Sequence, residues 1–593
     1  MAPSRGGIVI FSGGTAANSL VDVFETVRKS KGCSISYIIP ISDNGGSSSE
    51  LIRVFGGPGI GDVRSRLIRL IPAHPPSPER EAIGKLLSHR LSSSDVKDAR
   101  NEWADVVDGT SVLWTGISSA KKELIRSFFN LVNLEIIKRS RPPSSVFDFR
   151  SASVGNFFLT GARLFSGSFE SAIYLLSAVC GIPDEDIRVI PSINSNFSHH
   201  IAAELEDGSV VVGQNSISHP SVDTGQHHNS KGAQRKSSRQ LVNMNGVNAS
   251  GAHQPFLSLT GDKGEMEQLQ EEEDAHPPFT LATLRTSNIA FSKVAEELTE
   301  LPSRINRIHY VNSFGQEILP PANPRAIKAL QSAESLIYSI GSLYTSIVPN
   351  LVLRGIGEAM HKSHATVKVM ILNGCLDREV GPHVPSQPFT ALDFINAIVR
   401  AGEQSRGVVW TSNVSDSSEH HHSTLSASEA GRPSLKRAKF ENTTLRNEDH
   451  TSRLQILSPP LLASAMPSRA ASPSTSPERN LSQRPSTTTS SRSSSKPSPI
   501  YKQYVTHLIH LPNSDDTPFV DQALLAAQCG IKCIRVYGRR NPTGPGMLYD
   551  PEALRGAIEA VLGGRSQEKA SPDEPESKSH RNRERGRRNT VEH

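Results

Sequence analysis

Cysteine is scarce and scattered in this chain, with Cys33, Cys180, Cys375, Cys529 and Cys533 the five among 593 residues. An odd, irregularly spaced set excludes a disulfide framework and fits a reducing compartment. Cys529 and Cys533 have no histidine or second cysteine pair at zinc spacing, so they read as core residues of a helix end and the following strand. Long apolar runs are also missing. Nothing here can serve as a signal sequence or membrane span, and a cytoplasmic protein without a membrane partner is expected. The 64 Lys and Arg nearly balance the 59 Asp and Glu, leaving +5. Without a concentrated basic face, no nucleic-acid partner is expected.

Apolar residues are in short supply too, at 36%, so part of the chain cannot be packed core. Two stretches account for the deficit. Residues 221–275 are rich in His, Asn, Gly and Ser and run into Glu271-Glu272-Glu273-Asp274. Residues 403–499 are dominated by Ser, Thr, Pro and Arg, with Ser-Pro steps at Ser472, Ser476 and Ser498 that suit phosphorylation. Both read as disordered insertions. Residues 565–593 form a charged disordered tail ending in Arg585, Arg587 and Arg588, which with Lys436-Arg437-Ala438-Lys439 gives a weak nuclear signal.

What remains, 5–220, 276–402 and 500–564, alternates β-branched runs with amphipathic segments. Strands are expected at 8–11, 35–41, 187–191, 308–312, 335–340, 367–372, 504–511 and 533–537, with helices at 18–29 and 48–55. Glu206-Asp207-Gly208-Ser209 should turn a hairpin between 201–205 and 210–214. Asp550-Pro551 should cap and open a last helix. The fold class is α/β: one doubly wound, mostly parallel Rossmann-like sheet with a small antiparallel addition, interrupted by insertions.

Chemistry concentrates in the glycine-rich loops. Strand 8–11 ends in Ser12-Gly13-Gly14-Thr15 just before a helix, which gathers free N–H groups and the helix dipole into an anion site. It lacks the third spaced glycine of the dinucleotide fingerprint and the Gly-Lys-Ser/Thr of Walker A. The second strand ends in Ser42-Asp43-Asn44-Gly45-Gly46-Ser47-Ser48, where Asp43 serves Mg²⁺ or a ligand hydroxyl, or merely caps a turn. In Gly61-Asp62-Val63-Arg64, Arg64 can clamp a phosphate, and the bland alternative is an Asp62 cap with Arg64 in a surface ion pair. Asn156, after Ser153-Val154-Gly155, offers its amide to a ligand or caps its helix. Gly341-Ser342 begins another helix with donors for phosphate.

Taken in order, these segments together with Asn323-Pro324, Gly341-Ser342-Leu343-Tyr344-Thr345-Ser346 and the Asp550-Pro551 helix resemble the CofD-like family. That family includes the 2-phospho-L-lactate transferase of deazaflavin coenzyme biosynthesis and the YvcK-type gluconeogenesis factors, which bind nucleotide sugars. This chain departs from the pattern with Ala16 for a further glycine, Asn44 for a second aspartate, and Ser339-Ile340 ahead of Gly341-Ser342. The resemblance implies a transferase moving a phosphate-linked group from a nucleoside diphosphate conjugate to an acceptor hydroxyl. The alternative is a non-catalytic nucleotide-sugar-binding regulator of carbon metabolism. Asp43 and Asp62 would be catalytic, with Asp43 the Mg²⁺ ligand. Gly13, Gly14, Thr15, Asn44, Gly45, Gly46, Ser47, Arg64, Asn156, Gly341, Ser342 and Thr345 would hold the phosphorylated, nucleotide-like small molecule. A homodimer is compatible with this reading. The Ser/Pro-rich insertions suit a eukaryotic, fungal-type member, in which the deazaflavin pathway is not generally expected.

Overall fold

The computed structural model describes residues 7–14, 16–42, 45–142, 146–218, 280–281, 284, 300–384, 386–410, 498–542 and 544–563. Its strands, in chain order, are β1 (Ile8–Phe11), β2 (Ile35–Ile39), β3 (Ile187–Pro191), β4 (His200–Leu205), β5 (Val210–Val212), β6 (Ile305–Val311), β7 (Glu317–Ile318), β8 (Ser335–Tyr338), β9 (Val367–Ile371), β10 (His507–His510), β11 (Lys532–Arg535), β12 (Gly538–Arg540) and β13 (Met547–Tyr549). Seven of them form one sheet in the order β11-β10-β9-β8-β1-β2-β3. Every pairing in it is parallel. A parallel sheet is covered on both faces, which is why β1, β2 and β8 are buried along their whole length instead of alternating.

The chain winds outward from β1 through β2 to β3, then returns to the other flank of β1 as β8 and winds outward again to β11. The order reverses between β1 and β8. In doubly wound sheets the crevice at the carboxyl ends of such a pair is where ligands bind. After β1 comes a 3-10 turn, Ala16–Leu20, leading into α1 (Val21–Lys31). The loop after β2 leads into α2 (Ser47–Phe55), which is followed by α3 (Gly61–Arg69).

The hairpin expected around Gly208 is present, with Gly208 at φ 82° in the turn, where a side chain would be strained. The antiparallel sheet it belongs to is larger than expected, in the order β5-β4-β6-β7. The 308–312 run overlaps β6, which ends at Val311 and pairs with β4, and Gln214, expected to end a strand, opens the helix Gln214–Ser218. The buried Tyr310 hydroxyl on β6 donates to the Pro349 carbonyl at 3.1 Å and faces Ser42 and Ser192, the residues at the ends of β2 and β3. The small sheet therefore stands over the carboxyl edge of the large one.

The insertion 221–275 lies outside the described residues, as does nearly all of 403–499. At its borders the core reaches further than composition suggested. The helix Ala391–Ser405 continues past 402, because Glu403 and Ser405 are buried. Trp410 packs edge-on against Tyr501 with ring centroids 5.9 Å apart. Residues Pro499–Tyr504 form a helix with the proline in its first turn, so the strand expected from 504 begins at His507. Among the described residues no helix is long and apolar enough to cross a membrane.

Candidate functional site

The β1 loop meets two other elements at the switch point. A β-carbon added to Gly14 would overlap the Asp62 carboxyl and lie 2.9 Å from the Asp62 Cα on α3. One added to Gly13 would strike the Ser346 side chain, with Ser346 Cβ at 2.8 Å. Gly14 needs glycine because the backbone of α3 comes this close, whereas Gly13 is met by side chains. The loops after β1 and β8 thus meet at the carboxyl edge of the sheet, with α3 beside them.

Beneath the Gly13-Gly14 turn lies Arg66, which is fully buried. Its guanidinium donates to the Gly13 carbonyl at 3.1 Å, the Ser12 hydroxyl at 3.3 Å and the Ala17 carbonyl at 3.4 Å, and stacks 4.6 Å from the Tyr37 ring centroid. Among the described residues its Nε has no hydrogen-bond partner. Burial pulls its pKa down, while Tyr37 and Asp62 support the charge through space. The loop therefore rests on a buried cation, with the Asp62 carboxyl on its other side. Sequence reading chose Arg64 for this role. The two arginines are two apart on one helix and so point to nearly opposite sides, which no local pattern resolves.

Arg64 turns toward the neighbouring loop. Its Nε donates to Asn156 Oδ1 at 3.2 Å, and Asn156 Nδ2 donates to Ser47 Oγ at 2.9 Å. Ser47 Oγ also accepts the Ser153 N–H at 3.3 Å. Asn156 is 2% exposed, so both ends of its amide are committed inside the protein. Gly155 lets the two helices touch, since a side chain there would meet the Leu87 carbonyl at 2.5 Å and Arg64 Cδ at 2.9 Å. Gly45 and Gly46 accept at their carbonyls from the Ser48 and Ser49 N–H groups at 3.2 and 3.1 Å, folding the loop into α2. Thr15, Asp43 and Asn44 lie outside the described residues.

The β8 loop is held from the next strand. Gly341, at φ 140°, donates its N–H to Asn373 Oδ1 at 3.0 Å and accepts from Asn373 Nδ2 at 2.9 Å. The N–H groups of Tyr344 and Thr345 donate to Glu379 Oε2 at 2.9 and 3.1 Å, and the Thr345 hydroxyl donates to Glu379 Oε1. Thr345, expected on phosphate, is thus engaged by a carboxyl group of the protein itself. Glu379 is 1% exposed. Burial first, and then the charge of Asp377, push its carboxyl up to about 8 against the pull of these hydrogen bonds. Neither Asn373 nor Glu379 was legible in the sequence, because both act across the sheet edge from a segment without a motif. Ser342 precedes this helical turn and its carbonyl accepts the Ser346 N–H at 2.9 Å.

A separate cavity of about 430 Å³ opens at the opposite, amino edge of the sheet, lined by Lys31, Cys33, Glu334, His364 and Thr366. None of the described residues nominated from the sequence borders it. Among the described residues no cluster of three His, Cys, Asp or Glu is arranged to hold a metal.

A doubly wound α/β protein whose glycine loops gather at the switch point is the class these observations define. The chain belongs to the CofD family: the family model described as 2-phospho-L-lactate transferase CofD matches residues 8–450. It is 40% identical over 409 residues to the uncharacterized Saccharomyces cerevisiae protein YNL011C, spanning 68% of this chain and 85% of that one. It is 24% identical over 210 residues to the gluconeogenesis factor of Halalkalibacterium halodurans, covering 35% of this chain and 44% of the factor. The solved structure of protein BH3568 from Bacillus halodurans aligns with 94% of this chain and all of its own, at 16% identity and a TM-score of 0.45.

Proposed function

We propose that this chain binds a nucleoside diphosphate conjugate in the β1/β8 crevice and transfers a phosphate-linked group from it to an acceptor hydroxyl. One observation carries the reading: the Gly13-Gly14 turn, closed by Asp62 and Ser346, sits on a fully buried arginine. A buried guanidinium beneath close-approaching backbone suits a phosphate, and the low local dielectric strengthens that attraction. The acceptor oxygen bonds to phosphorus, the P–O bond to the nucleoside monophosphate breaks, and the hydroxyl proton passes to a carboxylate, Asp43 or Asp62. Positioning and charge neutralisation supply most of the catalysis in such transfers. Mg²⁺ would be held by Asp43 with the ligand's phosphate oxygens and would neutralise developing charge. Asp62, against the Gly13-Gly14 loop, is a chemically fitting second carboxylate.

A non-catalytic regulator is the second reading, favoured by relatives that are named gluconeogenesis factors. Incubating the full chain with nucleoside diphosphate conjugates, hydroxyl-bearing acceptors such as flavin-like compounds, and Mg²⁺ distinguishes the two. Release of nucleoside monophosphate supports transfer, and ligand-induced thermal stabilisation without release supports regulation. Absence of both effects across guanosine, uridine and adenosine diphosphate conjugates would remove the crevice as a nucleotide site.

A further inference from the structure

Glu379 is a buried carboxyl group bonded to the β8 loop, the loop that meets the Gly13-Gly14 turn, and the transfer mechanism does not use it. Its oxygens take the N–H groups of Tyr344 and Thr345 and the Thr345 hydroxyl. The next residue, Ser346, closes on Gly13. An anion above the Gly13-Gly14 turn therefore lies one residue along the chain from the group that Glu379 grips.

Those hydrogen bonds survive a change of charge. Ionised, Glu379 accepts all three. Protonated, one oxygen still accepts both backbone N–H groups, while the other donates to the Thr345 oxygen, whose own hydrogen rotates away. The loop thus keeps its shape while its charge changes by one. The charged or titratable groups facing the carboxyl are Asp377 and Arg378 on its own turn and the Tyr344 phenol opposite. Arg378 is drawn away by the carbonyls of Ser216 and Ile217. The helix Gln214–Ser218, packed on the same turn, brings no titratable side chain. Arg400, Asp393 and Glu206 act on Tyr344 rather than on Glu379.

We propose that anion binding in the crevice is proton-linked through Glu379: the ligand's negative charge favours the neutral carboxylic acid, so binding takes up a proton. This rests on the crevice being the ligand site. Because burial and the charge of Asp377 push the carboxyl up to about 8, affinity should stay level below that pH and fall above it. The fall approaches tenfold per pH unit until the pKa of the liganded form is passed.

Calorimetric titration of the full chain with ADP, GDP and UDP between pH 7 and 10 tests this, using the parent, Glu379→Gln and Asp377→Asn. Glutamine reproduces the neutral acid, its carbonyl accepting the two N–H groups and its amide donating to Thr345. The ratio of parent to variant Kd at each pH cancels titration of the ligand itself. The parent should weaken by about tenfold or more relative to Glu379→Gln by pH 10. Asp377→Asn should weaken from a lower pH, since it removes the charge that raises the carboxyl. An independent readout needs no ligand. Stability of the parent should fall as pH rises from about 4.5 to about 8, because the folded chain holds a proton that the unfolded chain releases, and Glu379→Gln should lack that fall. If the parent binds a nucleotide and its pH profile coincides with that of Glu379→Gln, the proton linkage is wrong and the site stands. If the parent binds none of the three, the binding reading fails and takes this inference with it.

Discussion

Gly14→Ala separates a phosphate-cradling loop from an ordinary tight turn. The new methyl would overlap the Asp62 carboxyl and sit 2.9 Å from the Asp62 Cα, about 0.5–1 Å closer than carbon atoms pack at rest. The Asp62 side chain can rotate, but its backbone cannot, so α3 and the loop must part. Overpacking of this kind costs about 1–3 kcal/mol. In a core of several hundred residues, with an unfolding entropy of roughly 2 cal/mol/K per residue, this lowers Tm by only a few degrees. The same displacement pulls the Gly13-Gly14 backbone off a bound phosphate. Losing one or two charge-assisted hydrogen bonds of about 1.5–3 kcal/mol predicts roughly a tenfold to hundredfold or greater loss of affinity. Differential scanning calorimetry and titration with the tightest-binding nucleoside diphosphate measure both quantities on one preparation. Parental affinity in Gly14→Ala, or a Tm loss with no loss of binding, would mean that Gly14 serves packing alone.

Lys368 is buried at the start of β9, with its ammonium donating to the carbonyls of Met360 and Gln503, and burial pulls its pKa down to about 8. The unfolded chain then holds the proton more tightly, so denaturant-measured stability should rise between pH 8 and 10.5 in the parent, and Lys368→Met should lack that rise. Because Trp410 and Tyr501 touch, replacing 414–494 by a few Gly and Ser residues should leave a cooperatively melting core; aggregation or loss of the transition would show that the stretch belongs to the fold. Gly556→Ala, in the helix Pro551–Val561 with nothing within 4 Å of the new methyl, should stabilise by about 0.5–1 kcal/mol and leave ligand affinity unchanged.

The features legible in the sequence were those set by neighbours along the chain. The β-branched runs of β1, β2 and β3 announced buried parallel strands, and Asp207-Gly208 announced its turn. Asp550 caps its helix as expected, accepting the Ala553 N–H at 2.9 Å with Pro551 in the first turn. The strand 308–312 could be seen as a strand but not assigned to a sheet, because its partner β4 is about a hundred residues away. The site followed the same division. Gly13, Gly14, Asp62 and Gly341 could be singled out in the sequence because close backbone approach leaves a glycine signature and a helix start leaves an acidic one. Arg66, Asn373 and Glu379 were not, since each acts on a loop from another element and an ordinary arginine, asparagine or glutamate carries no local mark of that. Arg64 and Thr345 were nominated by position within a motif, and they bond instead to Asn156 and Glu379.

The most direct test is a crystal structure of the chain with a nucleoside diphosphate bound. A phosphate is expected over the Gly13-Gly14 turn, within about 2.7–3.1 Å of backbone N–H groups of that loop. A nucleotide whose phosphates lie instead in the cavity between Lys31 and His364 at the amino edge, with the β1/β8 crevice empty, would contradict it.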